Sequence, residues 1–133
     1  MPPFSRSVLA VLAGIAVGVA LIAGVGAAST QLYPLPAGLD VNNREAMSNY
    51  AATLPLAAFL VVLAGYAVGG LGGGYLAARL APSAPARHAG AIALFLVVAS
   101  VINLRAIPHP GWFWVANLVV VLVFPLLAAR LRS

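Results

Sequence analysis

From Val8 to Ala28 the chain runs for 21 residues without a charged side chain (VLAVLAGIAVGVALIAGVGAA). A helix rises about 1.5 Å per residue, so roughly 20 apolar residues cross a bilayer core of about 30 Å. Three further segments share this character: about 54–80, charged only at Arg79; about 89–107, charged only at Arg105; and about 112–129, with no charge. Lipid offers no hydrogen bonds, so backbone that crosses it must satisfy itself internally, as a helix does. The expected fold is all-α: a polytopic membrane protein with a four-transmembrane-helix bundle as its single domain over residues 1–133.

Composition agrees with this reading. Hydrophobic residues make up 63% of the chain and charged residues 7%, and the mean hydropathy is +1.06. Soluble domains carry about 25% charged residues. A soluble enzyme, a disordered tail and a fibrous protein are thereby excluded. There is no cysteine, which removes disulfides, thiolate metal sites and thiol redox chemistry. All seven basic residues are arginine, and Ala, Gly, Leu and Val are abundant, a composition that suggests a GC-rich bacterial genome. The net charge of +5 is no nucleic-acid signal, because binding there needs clustered basic residues and these are scattered along an apolar chain.

The first segment has a competing reading as a cleaved signal peptide, with Arg6 as its basic region and Val25-Gly26-Ala27 as a small-residue cleavage site. Signal h-regions span only about 7–15 residues. This stretch is longer, so a retained helix is expected.

Arginine placement sets the orientation. With the N-terminus inside, Arg6, Arg79, Arg87, Arg130 and Arg132 are cytoplasmic, and only Arg44 and Arg105 lie outside. That asymmetry predicts both termini in the cytoplasm of a bacterial inner membrane. The one sizeable loop, about 29–53, is then outside and carries both acidic residues, Asp40 and Glu45. Pro34, Pro36 and Gly38 make its first half extended or turning. Asn42 or Asn43 caps a short interfacial helix from about 43 to 52; if Asn42 is the cap, Glu45 completes a capping box. Pro55 starts or kinks the second span. The stretch APSAPARH is an inner loop, RAIPHPG a tight outer hairpin, and Pro125 a mild kink in the last span.

Four groups of residues are candidates for function. Gly14 and Gly18 on the first span, and Gly65, Gly69, Gly70 and Gly74 on the second, have GxxxG spacing. Small residues let helices approach closely where lipid gives no hydrophobic drive. The run from Gly69 to Gly74 would weaken a helix by up to about 1 kcal/mol per glycine. It therefore marks a packing face or a hinge, and no Lys-Ser/Thr follows to make it a phosphate loop. Ser100, Asn103 and Asn117 form a candidate polar cluster within the spans. Asn103 lies about four residues below the hairpin and Asn117 about six, so a hydrogen bond between them is expected, worth about 0.6 kcal/mol. Asp40, Arg44, Glu45, Arg105 and His109 make a candidate outer rim, with Arg105 expected to pair with Asp40 or Glu45. Tyr33, Tyr50, Trp112 and Trp114 are placed to anchor the protein at the headgroup level.

Absences exclude several activities. No carboxylate lies in a span, as a small proton-coupled multidrug exporter requires. There are no paired aspartates, no Ser/His pair at depth and no metal motif for intramembrane proteolysis. The arginine-bearing first helix and spaced phenylalanines of small fluoride channels are absent. His88 and His109 fall on opposite sides and cannot share a haem. No cofactor, metal or nucleic acid is expected. The partners expected are the bilayer and either a second copy or another membrane protein.

The strings LYPLPAGLD (32–40) and IPHPGWFW (107–114) resemble a group of small, uncharacterised bacterial inner-membrane proteins. Those have four predicted spans, a proline-rich outer loop after the first and a proline-histidine-proline hairpin before the last. The resemblance covers nearly the whole chain and implies the same topology. It carries no catalytic or binding residues. The resulting expectation is a structural or interaction protein and not an enzyme. The alternative is a passive facilitator for a small neutral or lipid-like solute, lined by Ser100, Asn103 and Asn117.

Overall fold

The computed structural model describes residues 2–106 and 109–132. The fold is all-α. Five helices follow one another: α1 (Pro3–Leu32), α2 (Arg44–Thr53), α3 (Leu56–Leu80), α4 (Pro85–Ala106) and α5 (Gly111–Arg132). Four of them, all but α2, are long and apolar enough to cross a membrane, which makes this a multi-pass membrane protein. Helices α1 and α5 outrun their apolar segments at both ends and α4 at its start, whereas α3 begins two residues inside its segment. Helix α1 begins at Pro3 and ends at Leu32, where Tyr33 N–H bonds back to the Ser29 carbonyl. At about 1.5 Å per residue its 30 residues exceed the hydrocarbon thickness.

The expected inner loop is shorter than APSAPARH. Pro85 opens α4 instead of lying in the connection, in the first-turn position where its missing N–H costs nothing. Ala84 before it takes a left-handed φ of 47°. Its carbonyl accepts from the backbone N–H groups of Arg87 and His88, at 3.0 and 3.4 Å.

Helix α3 is the hub, packing against α1, α4 and α5, whereas α1 packs chiefly on α3. The dense glycine run resolves into two interleaved stripes. Gly65, Gly69 and Gly73 face α1: a Cβ on Gly65 would meet Val25 at 3.0 Å, and one on Gly73 would meet the Gly14 carbonyl at 2.6 Å. From the other side, a Cβ on Gly14 would meet the Gly73 carbonyl at 2.6 Å and one on Gly18 the Gly69 carbonyl at 3.2 Å. Gly70 and Gly74, one residue further round, face α5. A Cβ on Gly74 would lie 2.7 Å from both Cα and O of Pro125. One helix therefore takes two neighbours at backbone contact, which requires two small-residue rows about 100° apart. Helix α3 runs unbroken through the whole run.

Helix α5 also continues through Pro125, whose ring is buried in the groove left by Gly70 and Gly74. The core between the spans is Ala77, Ile92, Leu96 and Val121, with Val11, Ile15 and Tyr66 against it. Towards the end that bears the α1–α3 loop lies a second cluster of Phe59, Leu104 and Phe113.

Candidate functional site

The loop end of the bundle gathers most of the candidate residues. Helix α2 forms because Asn43 caps it: the Asn43 side chain accepts from Ala46 N–H at 3.0 Å. Asn43 and not Asn42 is the cap, so Glu45 falls at the second helical position and makes no capping box. It stands in the first turn, where a negative charge complements the helix dipole. Asp40 is occupied locally, its carboxylate accepting from Asn42 N–H at 3.0 Å.

The expected pairing of Arg105 with Asp40 or Glu45 is not formed. Instead the Arg44 guanidinium donates to the Arg105 carbonyl at 2.8 Å, tying α2 to the end of α4. All four charged residues are exposed. An exposed ion pair is worth only about 0–1 kcal/mol, whereas the carbonyls of the last helical turn need donors. Arg44 supplies one.

The polar trio divides. Asn103 and Asn117 do not meet, which corrects the expected hydrogen bond. The Asn103 amide donates to the Tyr66 hydroxyl on α3 in a long bond of 3.4 Å. Ser100 and Asn117 are 0% and 1% exposed, and neither side chain has a hydrogen-bond partner. Depth counted from the hairpin misled because a residue's level says nothing of its azimuth. Ser100 lies six residues before the end of α4, and Asn117 six after the start of α5. These two share a level and a core-facing position. Asn103, three residues on, is rotated about 60° towards α3.

His109 is not a free rim group. Its ring stacks on Phe113, with centroids 4.9 Å apart and planes 15° from parallel. Phe113 lies 5.7 Å from Phe59, and Trp112 meets Phe59 edge-on at the same distance. Trp114 packs on this same cluster. Of these rings His109, Phe113 and Phe59, together with Tyr33 and Met47, border a cleft of about 140 Å³ under α2. Tyr33 and Tyr50, read from the sequence as headgroup anchors, are walls of this cleft. Met47 and Phe59 escaped the sequence reading: Phe59 sits in an apolar run where nothing separates a cleft wall from core, and Met47 is a lone apolar residue on a short polar helix.

The other end holds a contact that sequence reasoning also missed. His88 Nδ1 lies 2.9 Å from the Ala84 carbonyl and Nε2 lies 3.0 Å from Ser7 Oγ. A carbonyl only accepts, so Nδ1 carries a hydrogen and donates it to Ala84, while Nε2 pairs with the Ser7 hydroxyl, which can both donate and accept. This ties α1 to α4 near the chain's ends. The partners are 81 positions apart in the chain, so no local signal marks them. Among the described residues, no group of three His, Asp or Glu side chains is placed to hold a metal ion.

No protein-family model, curated protein or solved structure matches this chain.

Proposed function

We propose that the protein is a small structural or interaction protein of a bacterial inner membrane, with both termini cytoplasmic. In this reading it is not an enzyme, and it associates with itself or serves as an accessory subunit of a larger membrane complex. The observation that carries this is the outward face of α1. Ala16, Ala20, Gly24 and Ala28 repeat at four-residue spacing, and all four are exposed. A Cβ placed on Gly24 would meet nothing within 4 Å. Helix α1 is also the least enclosed span, with 17% of its apolar window buried against 28–33% for the others. Its opposite face, at the same spacing, already packs by Gly14 and Gly18 against α3 at backbone contact. A second row of this kind on an open face suits a second helix, because close approach drives association in lipid.

The orientation is supported by Arg6, Arg79, Arg87 and Arg130 collecting at the end that bears the termini. The competing reading, a passive path lined by Ser100, Asn103 and Asn117, asks for polar side chains open to a lumen. Ser100 and Asn117 are enclosed on all sides.

Association is tested in nanodiscs or mild detergent by sedimentation, and in membranes by oxidative cross-linking. The chain has no cysteine, so a single Gly24→Cys reports the α1 face cleanly. A cross-linked dimer from Gly24→Cys, and loss of the oligomer in Ala20→Leu, are expected. A strictly monomeric wild-type chain that captures no membrane partner overturns the proposal.

A further inference from the structure

The cleft under α2 has three properties that together specify an occupant. The first is size. Its volume of about 140 Å³ is close to that of the roughly 150 Å³ apolar cavities that admit a benzene ring. It falls well short of the roughly 300 Å³ at which sites for larger ligands begin. It holds one ring.

The second is charge. No Asp, Glu or Arg lines it, and the one basic side chain that does, His109, is stacked on Phe113. Two of the rim charges are engaged elsewhere, Arg44 with the Arg105 carbonyl and Asp40 with Asn42 N–H, and Glu45 and Arg105 are exposed and do not line the cleft. An ion entering would lose hydration with no carboxylate or guanidinium in the wall to compensate it. The occupant is therefore neutral.

The third is the wall. Phe59, Phe113, Tyr33 and Tyr50 present rings, which favour an aromatic partner in stacked or edge-on contact. Among the described residues the hydroxyls of Tyr33, Tyr50 and Ser29 have no hydrogen-bond partner, and all three residues line the cleft. They would orient a ligand that carries one polar group.

The roof is movable by construction. The α2 backbone approaches none of the four spans closely. The helix is held by the Arg44 contact, by side chains such as Met47 and Tyr50 over the cleft, and by proline-bounded connections at Pro34–Pro36 and Pro55. Elements with so few packed contacts open at little free-energy cost, which gives a path in from the membrane surface.

We propose that the cleft beneath α2 binds one small neutral aromatic molecule carrying a hydrogen-bonding group at its edge, a phenol in size and chemistry, with α2 as its roof. The test titrates 4-fluorophenol into the full chain in nanodiscs and follows the fluorine resonance, with empty nanodiscs correcting for partition into lipid. Saturable binding to the wild type is expected. Ala51→Trp, which fills the cleft from α2 and leaves every bundle residue unchanged in sequence, is expected to weaken it at least about tenfold, a change of about 1.4 kcal/mol. The double variant Tyr33→Phe with Tyr50→Phe is expected to weaken 4-fluorophenol but not fluorobenzene. Circular dichroism confirms that helix content is kept in each variant. Equal binding by wild type and Ala51→Trp overturns the proposal. So does stronger binding of 4-fluorobenzoate or of a quaternary benzylammonium, which would mark an ion site. A co-purified phospholipid that the probe cannot displace also overturns it, since the cleft would then be a lipid-tail site.

Discussion

At the scale of single residues, the glycines divide by what a side chain would meet. Gly14 and Gly74 face backbone atoms at 2.6–2.7 Å, so even one methyl forces helices apart. Gly14→Ala and Gly74→Ala are each expected to cost about 1–3 kcal/mol, read as a lower thermal midpoint in detergent. Gly24→Ala, in open space on the same helix as Gly14, is expected to hold or raise that midpoint, by up to about 1 kcal/mol from helix propensity alone. Asn117 follows a different rule. Its amide is buried with neither its donor nor its acceptor satisfied, which is costly in a low-dielectric interior. Asn117→Leu keeps a similar volume and removes that cost, so unchanged or greater stability is expected. A large loss would mean that the amide holds an internal water. Ala84 is a further site, since its φ of 47° is one a glycine adopts without steric penalty. Relief of about 1–2 kcal/mol of left-handed strain, less the entropy a glycine gains on unfolding, makes Ala84→Gly neutral to stabilising.

At the scale of elements, α2 and the spans are held by different forces. The spans pack through glycine rows where α3 meets α1 and α5, and through larger apolar side chains elsewhere. Helix α2 has ten residues, a length marginal for an isolated helix in water. It depends on the Asn43 cap and the Arg44 tie. Asn43→Ala is expected to cost α2 about 1 kcal/mol. The effect should appear as faster amide exchange from 44 to 53, with no change in α3 or α5. If the spans also exchanged faster, α2 would be part of the bundle's cooperative unit and not a roof over it. Helix α5 gives the complementary case. A proline in mid-helix ordinarily removes a bond and disturbs the turn before it. Here its ring fills the Gly70–Gly74 groove, so one element's defect matches another's vacancy.

At the scale of the whole molecule, four spans with short connections put both termini at one end and the α1–α3 loop at the other. Single cysteines at Ser5 and Ser48 are therefore expected to label from opposite sides of the membrane. With the proposed orientation, a membrane-impermeant maleimide reaches Ser48→Cys in intact spheroplasts and Ser5→Cys only after lysis. Labelling of both from one side would remove the four-span topology. Helix α1 is the outlier of the bundle, joined to the rest almost wholly through α3 and, at the far end, through the Ser7–His88 contact. A face so open along one whole span is what makes association the natural reading of the assembly.

How much of this was legible follows from the range of each interaction. The number of spans, the helical class, the short helix before Pro55 and the glycine packing rows are set by local rules: segment length against bilayer thickness, backbone satisfaction in lipid, capping and the 3.6-residue period. Those rules act within a few residues, and one sequence displays them. Which neighbour each face meets is different. Nothing local tells Gly69 that it faces α1 and Gly70 that it faces α5. Nothing local turns Asn103 towards Tyr66 and leaves Asn117 without a partner. The same holds for the cleft: Tyr33, Tyr50, Phe59 and His109 come from four separate stretches of chain, and only the packing of α1, α3 and α5 beneath α2 brings them together. The sequence alone determined that this chain crosses a membrane four times. The tertiary structure decided what lies between the crossings, because azimuth around a helix becomes contact only when a second helix is in place.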